Sequence, residues 1–315
     1  MINKRSFITG LSGTSLLKKE EAFLIKYRPW GVIIFKRNIK TLLQTKKLIK
    51  KIKKIFNDKN YPILIDQEGG RVNRLNNFFN TGDLTNEHFG KLYLQSKKKF
   101  NKNYKKFIDK TSNILKYIGA NINTVPVLDV RIKGSANIIG DRSFSYNPKI
   151  VSKIGNMFIK RFHDNNICTV IKHIPGHGLA KVDSHNYTPT VKKNYQYLIK
   201  NDFFTFKNKK SLFAMTAHIV YKDIDSRYTA THSKKIINII RKKIKFKKIL
   251  ISDDISMKSL KFSIKQNTKK AFSAGCNLVL HCNGNYKEML IVAENSPALS
   301  NFMLKKTSQF NKILS

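Results

Sequence analysis

Three features of the sequence predict an α/β fold, a (β/α)8 barrel of the TIM type: eight short apolar runs, amphipathic segments of helical period between them, and polar or ionisable residues at the carboxyl end of most runs. The runs are residues 6–9, 31–35, 62–65, 121–125, 168–172, 212–216, 248–252 and 277–281. Several are unbroken Ile/Val/Leu stretches, as in parallel strands covered on both faces.

The intervening segments carry the other period. Residues 40–56 place Leu42, Leu48, Ile49, Ile52, Ile55 and Phe56 on one face between lysines, with Thr45 in the gap of the stripe. Residues 233–244 repeat the pattern with Ile236, Ile237, Ile240 and Ile244, behind Ser233 as a candidate N-cap. Strands alternating with helices imply βαβ units and a parallel sheet. Eight units fit a closed barrel, and a doubly wound open sheet is the other arrangement compatible with the alternation. No Pro/Gly/Ser-rich linker divides the chain, and the polar residues 76–90 read as a loop. The expectation is one domain over residues 1–315.

Composition bounds the function. The apolar fraction of 41% suffices for a sizeable core. The formal charge of +42 points, on its own, to nucleic acid or another anionic surface. Lys outnumbers Arg 51 to 10, however, and Ile and Asn are abundant, as AT-rich codons would give. Specific nucleic-acid sites draw on Arg forks and aromatic platforms, whereas these lysines are spread along helices whose other face is apolar. A solvated, Lys-rich surface with no specific nucleic-acid partner is the reading; the competing one is a non-catalytic, polyanion-binding barrel. Cys168, Cys276 and Cys282 are an odd number at spacings that match no zinc ribbon, which suits a reducing compartment. The N-terminus has no signal-peptide core, and no run of about 18 apolar residues is present to span a bilayer. The expectation is a cytoplasmic protein with no membrane partner and a monomeric state.

The barrel reading places chemistry at the carboxyl ends of the strands. Asp66, Asp129, Lys172, His173, His218, Asp253 and Asn283 all fall there. The densest segment is Lys172-His-Ile-Pro-Gly-His-Gly178, followed by Asp183 and His185. His173 and His177 have the i, i+4 spacing of a helical zinc pair, but Pro175 and Gly176 break that helix and no HExxH glutamate is present. A loop-borne triad of His173, His177 and His185 is the metal alternative. The acid–base alternative has Asp183 fix the tautomer of His185, leaving the other ring nitrogen to carry protons near neutral pH; a structural loop histidine fits the spacing as well. Asp253 directly follows an apolar strand. It suits either an N-cap, a task Asp254 could take instead, or a nucleophile facing the pocket. In Asp66-Gln-Glu-Gly-Gly-Arg-Val-Asn-Arg74, Gly69 and Gly70 permit a tight turn that lets Asp66 and Arg74 approach one ligand, a surface salt bridge being the plainer reading.

Together, Asp66-Gln-Glu-Gly-Gly-Arg-Val, Lys172-His-Ile-Pro-Gly-His-Gly with Asp183-Ser-His185, and Ser252-Asp-Asp-Ile-Ser-Met257 resemble the bacterial β-N-acetylhexosaminidases of glycoside hydrolase family 3. The resemblance runs nearly end to end. It implies that Asp253 is the nucleophile of a retaining mechanism, and that His185, held by Asp183, is the proton carrier. It further implies that Asp66, Arg74, Lys172, His173 and Arg142, the last within Gly140-Asp-Arg-Ser-Phe144, bind sugar. No metal or organic cofactor is implied. The substrates implied are GlcNAc-anhydro-muropeptides, processed in the cytoplasm during cell-wall recycling. Asn277 stands where an acidic residue is common, Ile174 where Phe is frequent and Ile255 where Leu is frequent; none touches the proposed chemistry.

Overall fold

The computed structural model describes residues 4–134, 137–184 and 186–315. Its strands are β1 (Arg5–Gly10), β2 (Pro29–Ile34), β3 (Ile63–Ile65), β4 (Ile122–Asn123), β5 (Cys168–Ile174), β6 (Thr190–Val191), β7 (Phe213–Thr216), β8 (Val220–Tyr221), β9 (Ile249–Asp254) and β10 (Leu278–His281). Eight of them close into a barrel in the order β1-β10-β9-β7-β5-β4-β3-β2, every neighbour parallel. The (β/α)8 expectation is borne out, and the open-sheet alternative falls because β1 pairs with both β2 and β10. β6 and β8 form a separate two-stranded sheet.

The unbroken apolar runs follow from the strand period of two. Ile8, Ile33 and Leu64 join the cluster inside the barrel, while their neighbours Phe7, Val32, Ile34, Ile63 and Ile65 join the layer under the helices. Both faces are therefore apolar. The amino-terminal end of the barrel is closed by the last helix, Asn301–Leu314: Phe310 packs on Trp30 and Phe213, and the Trp30 indole donates to Thr307 Oγ1 at 3.2 Å. That leaves the opposite end for a pocket.

The helix Leu42–Ile55 buries Thr45, Leu48, Ile49 and Ile52 and is capped by Thr41. The helix Lys234–Lys242 buries Ile236, Ile237 and Ile240, with the Ser233 hydroxyl accepting from the Ile236 amide at 3.2 Å. Residues 76–90 depart from the sequence reading: a helix, Asn86–Gln95, begins inside them behind a Thr85 cap. Gly90 obscured it. It sits mid-helix because a Cβ there would collide with the Phe144 carbonyl. Beside it the Asn86 side chain donates to the Arg142 carbonyl at 2.6 Å, so this helix fixes the segment that carries Arg142. Among the described residues, no helix is long and apolar enough to cross a membrane.

Candidate active site

At the carboxyl ends of the strands lies a pocket of about 370 Å³. Asp66, Arg74, Arg142, Lys172, His173 and Asp253 all line it, together with Glu68, His177, Ser184 and Asp254. Asp66 follows β3, Lys172 and His173 sit near the end of β5, and Asp253 near the end of β9. Parallel strands of a closed barrel deliver their ends to one rim, which is why residues 66, 172 and 253 meet.

One wall is an ion network. Lys172, only 2% exposed, donates to Asp66 Oδ1 at 2.7 Å and lies 2.6 Å from Glu68 Oε1. Arg142 grips both Glu68 oxygens at 2.8 Å each, and Arg74 reaches Asp66 Oδ2 at 3.3 Å. Thr124 adds a short hydroxyl bond to Asp66. Burial pushes the Asp66 carboxyl up, but Lys172 and Arg74 hold it well below the usual carboxylate range. Burial likewise opposes the Lys172 charge, yet Asp66 and Glu68 raise its pKa above the ordinary value. Asp66 and Lys172 stay charged at neutral pH, and the network presents fixed acceptors and donors to a polyhydroxylated ligand. The Gly69–Gly70 turn that brings Arg74 back needs positive φ, 97° and 54°.

Glu68 gives the network a pH signature. Burial raises its carboxyl pKa, but Arg142 and Lys172 outweigh that and bring it to about 2, against an ordinary 4.5. A carboxyl depressed on folding contributes stability that is complete above the unfolded value and is lost as pH falls through the folded one. In the parent, the urea midpoint is expected to fall from about pH 4.5 down toward about 2. Glu68→Gln should flatten that slope, and an unchanged slope would contradict the ion pair.

A second wall is built on Asp129, which is fully buried. It accepts the His177 amide at 2.7 Å, the His173 amide at 3.2 Å and the His173 Nδ1–H at 2.7 Å. A carboxylate only accepts here, so Nδ1 carries the proton and Nε2 is left for the pocket. Burial opposes ionisation of Asp129, and the His173 and His177 rings hold its pKa below the ordinary value. His177 is driven down to about 4, mainly by burial, and its Nε2 meets Ser184 Oγ at 3.1 Å.

The third wall is Asp253-Asp254. Burial pushes the Asp253 carboxyl up, and His218, His173 and the Asp254 amide bring it below the ordinary value, so it is ionised at neutral pH. Its Oδ1 accepts that amide at 2.8 Å. Asp254 does not cap a helix, contrary to the alternative drawn from sequence. Its side chain accepts from Ser256 and from the Cys282 amide, and the next helix, Ile264–Ala274, is capped by Ser263. The Asp254 carbonyl accepts from His218 Nε2 at 3.0 Å, and His218 Nδ1 meets Thr231 Oγ1 at 2.7 Å. A carbonyl cannot donate, so Nε2 bears a proton and His218 is a strut beneath the strand end.

His185 lies outside the described residues. Beside it, Ser184 lines the pocket and the Asp183 carbonyl accepts the amides of Asn186 and Tyr187 at 3.1 and 2.8 Å. Among the described residues, no three or more His, Cys, Asp or Glu side chains are grouped to hold a metal ion. Sequence reasoning passed over Glu68, although its offset of two from Asp66 in an extended segment puts both on one face. The role of Asp129 as a hub joining His173 and His177 had no local signal, because 44 residues separate it from His173.

Residues 10–308 match the glycosyl hydrolase family 3 N terminal domain. The chain is 30% identical over 287 residues to a beta-hexosaminidase of Nitrosomonas eutropha, covering 87% of this chain and 79% of that protein. The fold matches NagZ from Neisseria gonorrhoeae in complex with N-trifluoroacetyl-D-glucosamine, with a TM-score of 0.82, 23% identity and coverage of 100% and 99%. It also matches a glycoside hydrolase family 3 beta-N-acetylglucosaminidase from Paenibacillus sp. str. FPU-7, with a TM-score of 0.85 and 22% identity. There, 98% of this chain spans 60% of the larger protein.

Proposed function

This chain belongs to glycosyl hydrolase family 3, and from that premise we propose that it is a retaining β-N-acetylhexosaminidase. It removes terminal β-linked N-acetylglucosamine from peptidoglycan fragments, GlcNAc-anhydro-muropeptides, as a cytoplasmic, monomeric, single-domain enzyme of cell-wall recycling. The observation that carries the reading is an ionised Asp253 sharing one pocket with the Asp66–Lys172–Glu68–Arg142 network. The network, with Arg74 and His173, grips the sugar hydroxyls and sets the anomeric carbon against Asp253. The carboxylate forms a bond to that carbon as the glycosidic C–O bond breaks, and His185, oriented by Asp183, gives its proton to the departing oxygen. His185 then takes a proton from water, whose oxygen displaces Asp253 and restores both groups.

His185→Ala is expected to slow aryl glycosides with poor leaving groups by about 10²–10⁴-fold, and acidic, nitrophenyl-type leaving groups far less. The Asp129–His173 pair, at 2.7 Å, is a second imidazole–carboxylate unit in the same pocket and supports a second reading, with His173 as the acid. His173→Ala discriminates between them. Equal losses across leaving groups place His173 in sugar binding, whereas a loss confined to poor leaving groups transfers the role to it.

A further inference from the structure

The segment that carries Asp183 and His185 is held at both ends. Gly178 fixes its start, packed so closely that a Cβ there would lie 1.8 Å from the Val130 carbonyl oxygen. Thr188 fixes its far end, the hydroxyl donating to the Ser259 carbonyl at 2.7 Å. Between them, among the described residues from Lys181 to Thr188, Ser184 alone is buried, at 4% exposure, while Val182 and Tyr187 stand in solvent. The amides of Asn186 and Tyr187 close a turn onto the Asp183 carbonyl, so a hold on Ser184 is a hold on that turn.

The hold is the ring of His177. Its Nε2 meets Ser184 Oγ at 3.1 Å, and its Nδ1 is buried without a partner among the described residues. The ring is itself fixed from behind. The His177 amide donates to Asp129 Oδ1 at 2.7 Å, and the imidazole packs edge to face against that of His173, centroids 5.3 Å apart. At neutral pH the ring is uncharged, burial driving its pKa to about 4, so it acts through geometry and not through charge. His177 and Ser184 both line the catalytic pocket. An apolar side chain would fill that wall without the cost of burying an imidazole. What it could not do is bond the residue that stands between Asp183 and His185.

We propose that His177 is a positioning residue for the acid–base step: through Ser184 it sets where the Asp183–His185 pair stands against the glycosidic oxygen. The inference rests on the hydrolase reading and gives His177 no proton transfer of its own. Misplacing a reacting group by about 1 Å costs roughly 10²-fold, which bounds the effect of losing the link.

The test compares full-chain Ser184→Ala, His177→Phe, His177→Gln and His185→Ala on two aryl β-N-acetylglucosaminides, one releasing phenol and the other dinitrophenol. Ser184→Ala and His177→Phe should each lower kcat/KM for the phenyl glycoside by about 10–100-fold, and for the dinitrophenyl glycoside by about threefold or less. His177→Gln, whose side-chain amide can reach Ser184, should recover about tenfold of the loss seen with His177→Phe. Added to His185→Ala, either substitution should cost no more than about twofold further, because the group it positions is already gone. Ser184→Ala deletes only a hydroxyl, so the comparison stands even where a ring variant fails to fold. A loss below about threefold on the phenyl glycoside, equal losses on both glycosides, or full additivity with His185→Ala overturns this inference alone, provided His185→Ala itself discriminates between leaving groups. A parent without turnover, or a His185→Ala blind to the leaving group, defeats the hydrolase reading and this inference with it.

Discussion

Asp253→Ala is expected to abolish hydrolysis of an aryl β-N-acetylglucosaminide, lowering kcat on the order of 10⁴–10⁶-fold, as loss of a covalent nucleophile does. The protein should remain folded. The Asp253 carboxylate accepts one amide hydrogen bond, from Asp254, at a partly buried strand end. Its removal costs about 1 kcal/mol or less. The neighbouring Asp254 supplies the control. It also lines the pocket, but its oxygens are committed to Ser256 and Cys282. Asp254→Asn should therefore retain activity within about tenfold, the loss coming from a loosened turn. Activity of Asp253→Ala within a few fold of the parent contradicts the assignment.

Lys172→Met has the largest expected effect on stability. The ammonium is buried against two carboxylates, at 2.7 and 2.6 Å. Removing one partner from a buried ion network strands the others, at a cost of about 3–5 kcal/mol. In a protein of this size that lowers Tm on the order of 10 °C. The same substitution should abolish sugar binding, since Asp66 and Glu68 lose the ammonium that bridges them and holds them in place. Adding Asp66→Asn and Glu68→Gln to Lys172→Met removes the stranded charges and should recover much of the stability without recovering activity. Thermal unfolding and aryl glycoside turnover on the same samples separate the two effects. A Tm within about 2 °C of the parent for Lys172→Met alone would show that the ion network does not hold the site together.

Much of this architecture could be read from local patterns. The barrel was visible because several strands are apolar on both faces, so the Ile8/Phe7 and Ile33/Val32 neighbours appear as continuous runs. The cap at Ser233 follows a local rule that needs no tertiary knowledge. The helix Asn86–Gln95 was missed because Gly90 answers to a backbone 54 residues away, at Phe144, and not to its own helix. The same division runs through the pocket. Asp66, Lys172 and Asp253 announce themselves at strand ends. The engagement of Glu68 by Arg142, 74 residues distant, and the hub at Asp129 are long-range pairings that no spacing encodes. Of the 61 Lys and Arg residues behind the +42 charge, only four of those described line the pocket: Arg37, Arg74, Arg142 and Lys172.

The central claim is a covalent bond between sugar and Asp253, and it is tested most directly by trapping. Incubation with a 5-fluoro-glycosyl analogue slows release of the intermediate, and peptide mapping locates the label. The account predicts one label per chain, on Asp253. A label on Asp254, Asp66 or Glu68, or turnover of the analogue with inversion and no label, would contradict it.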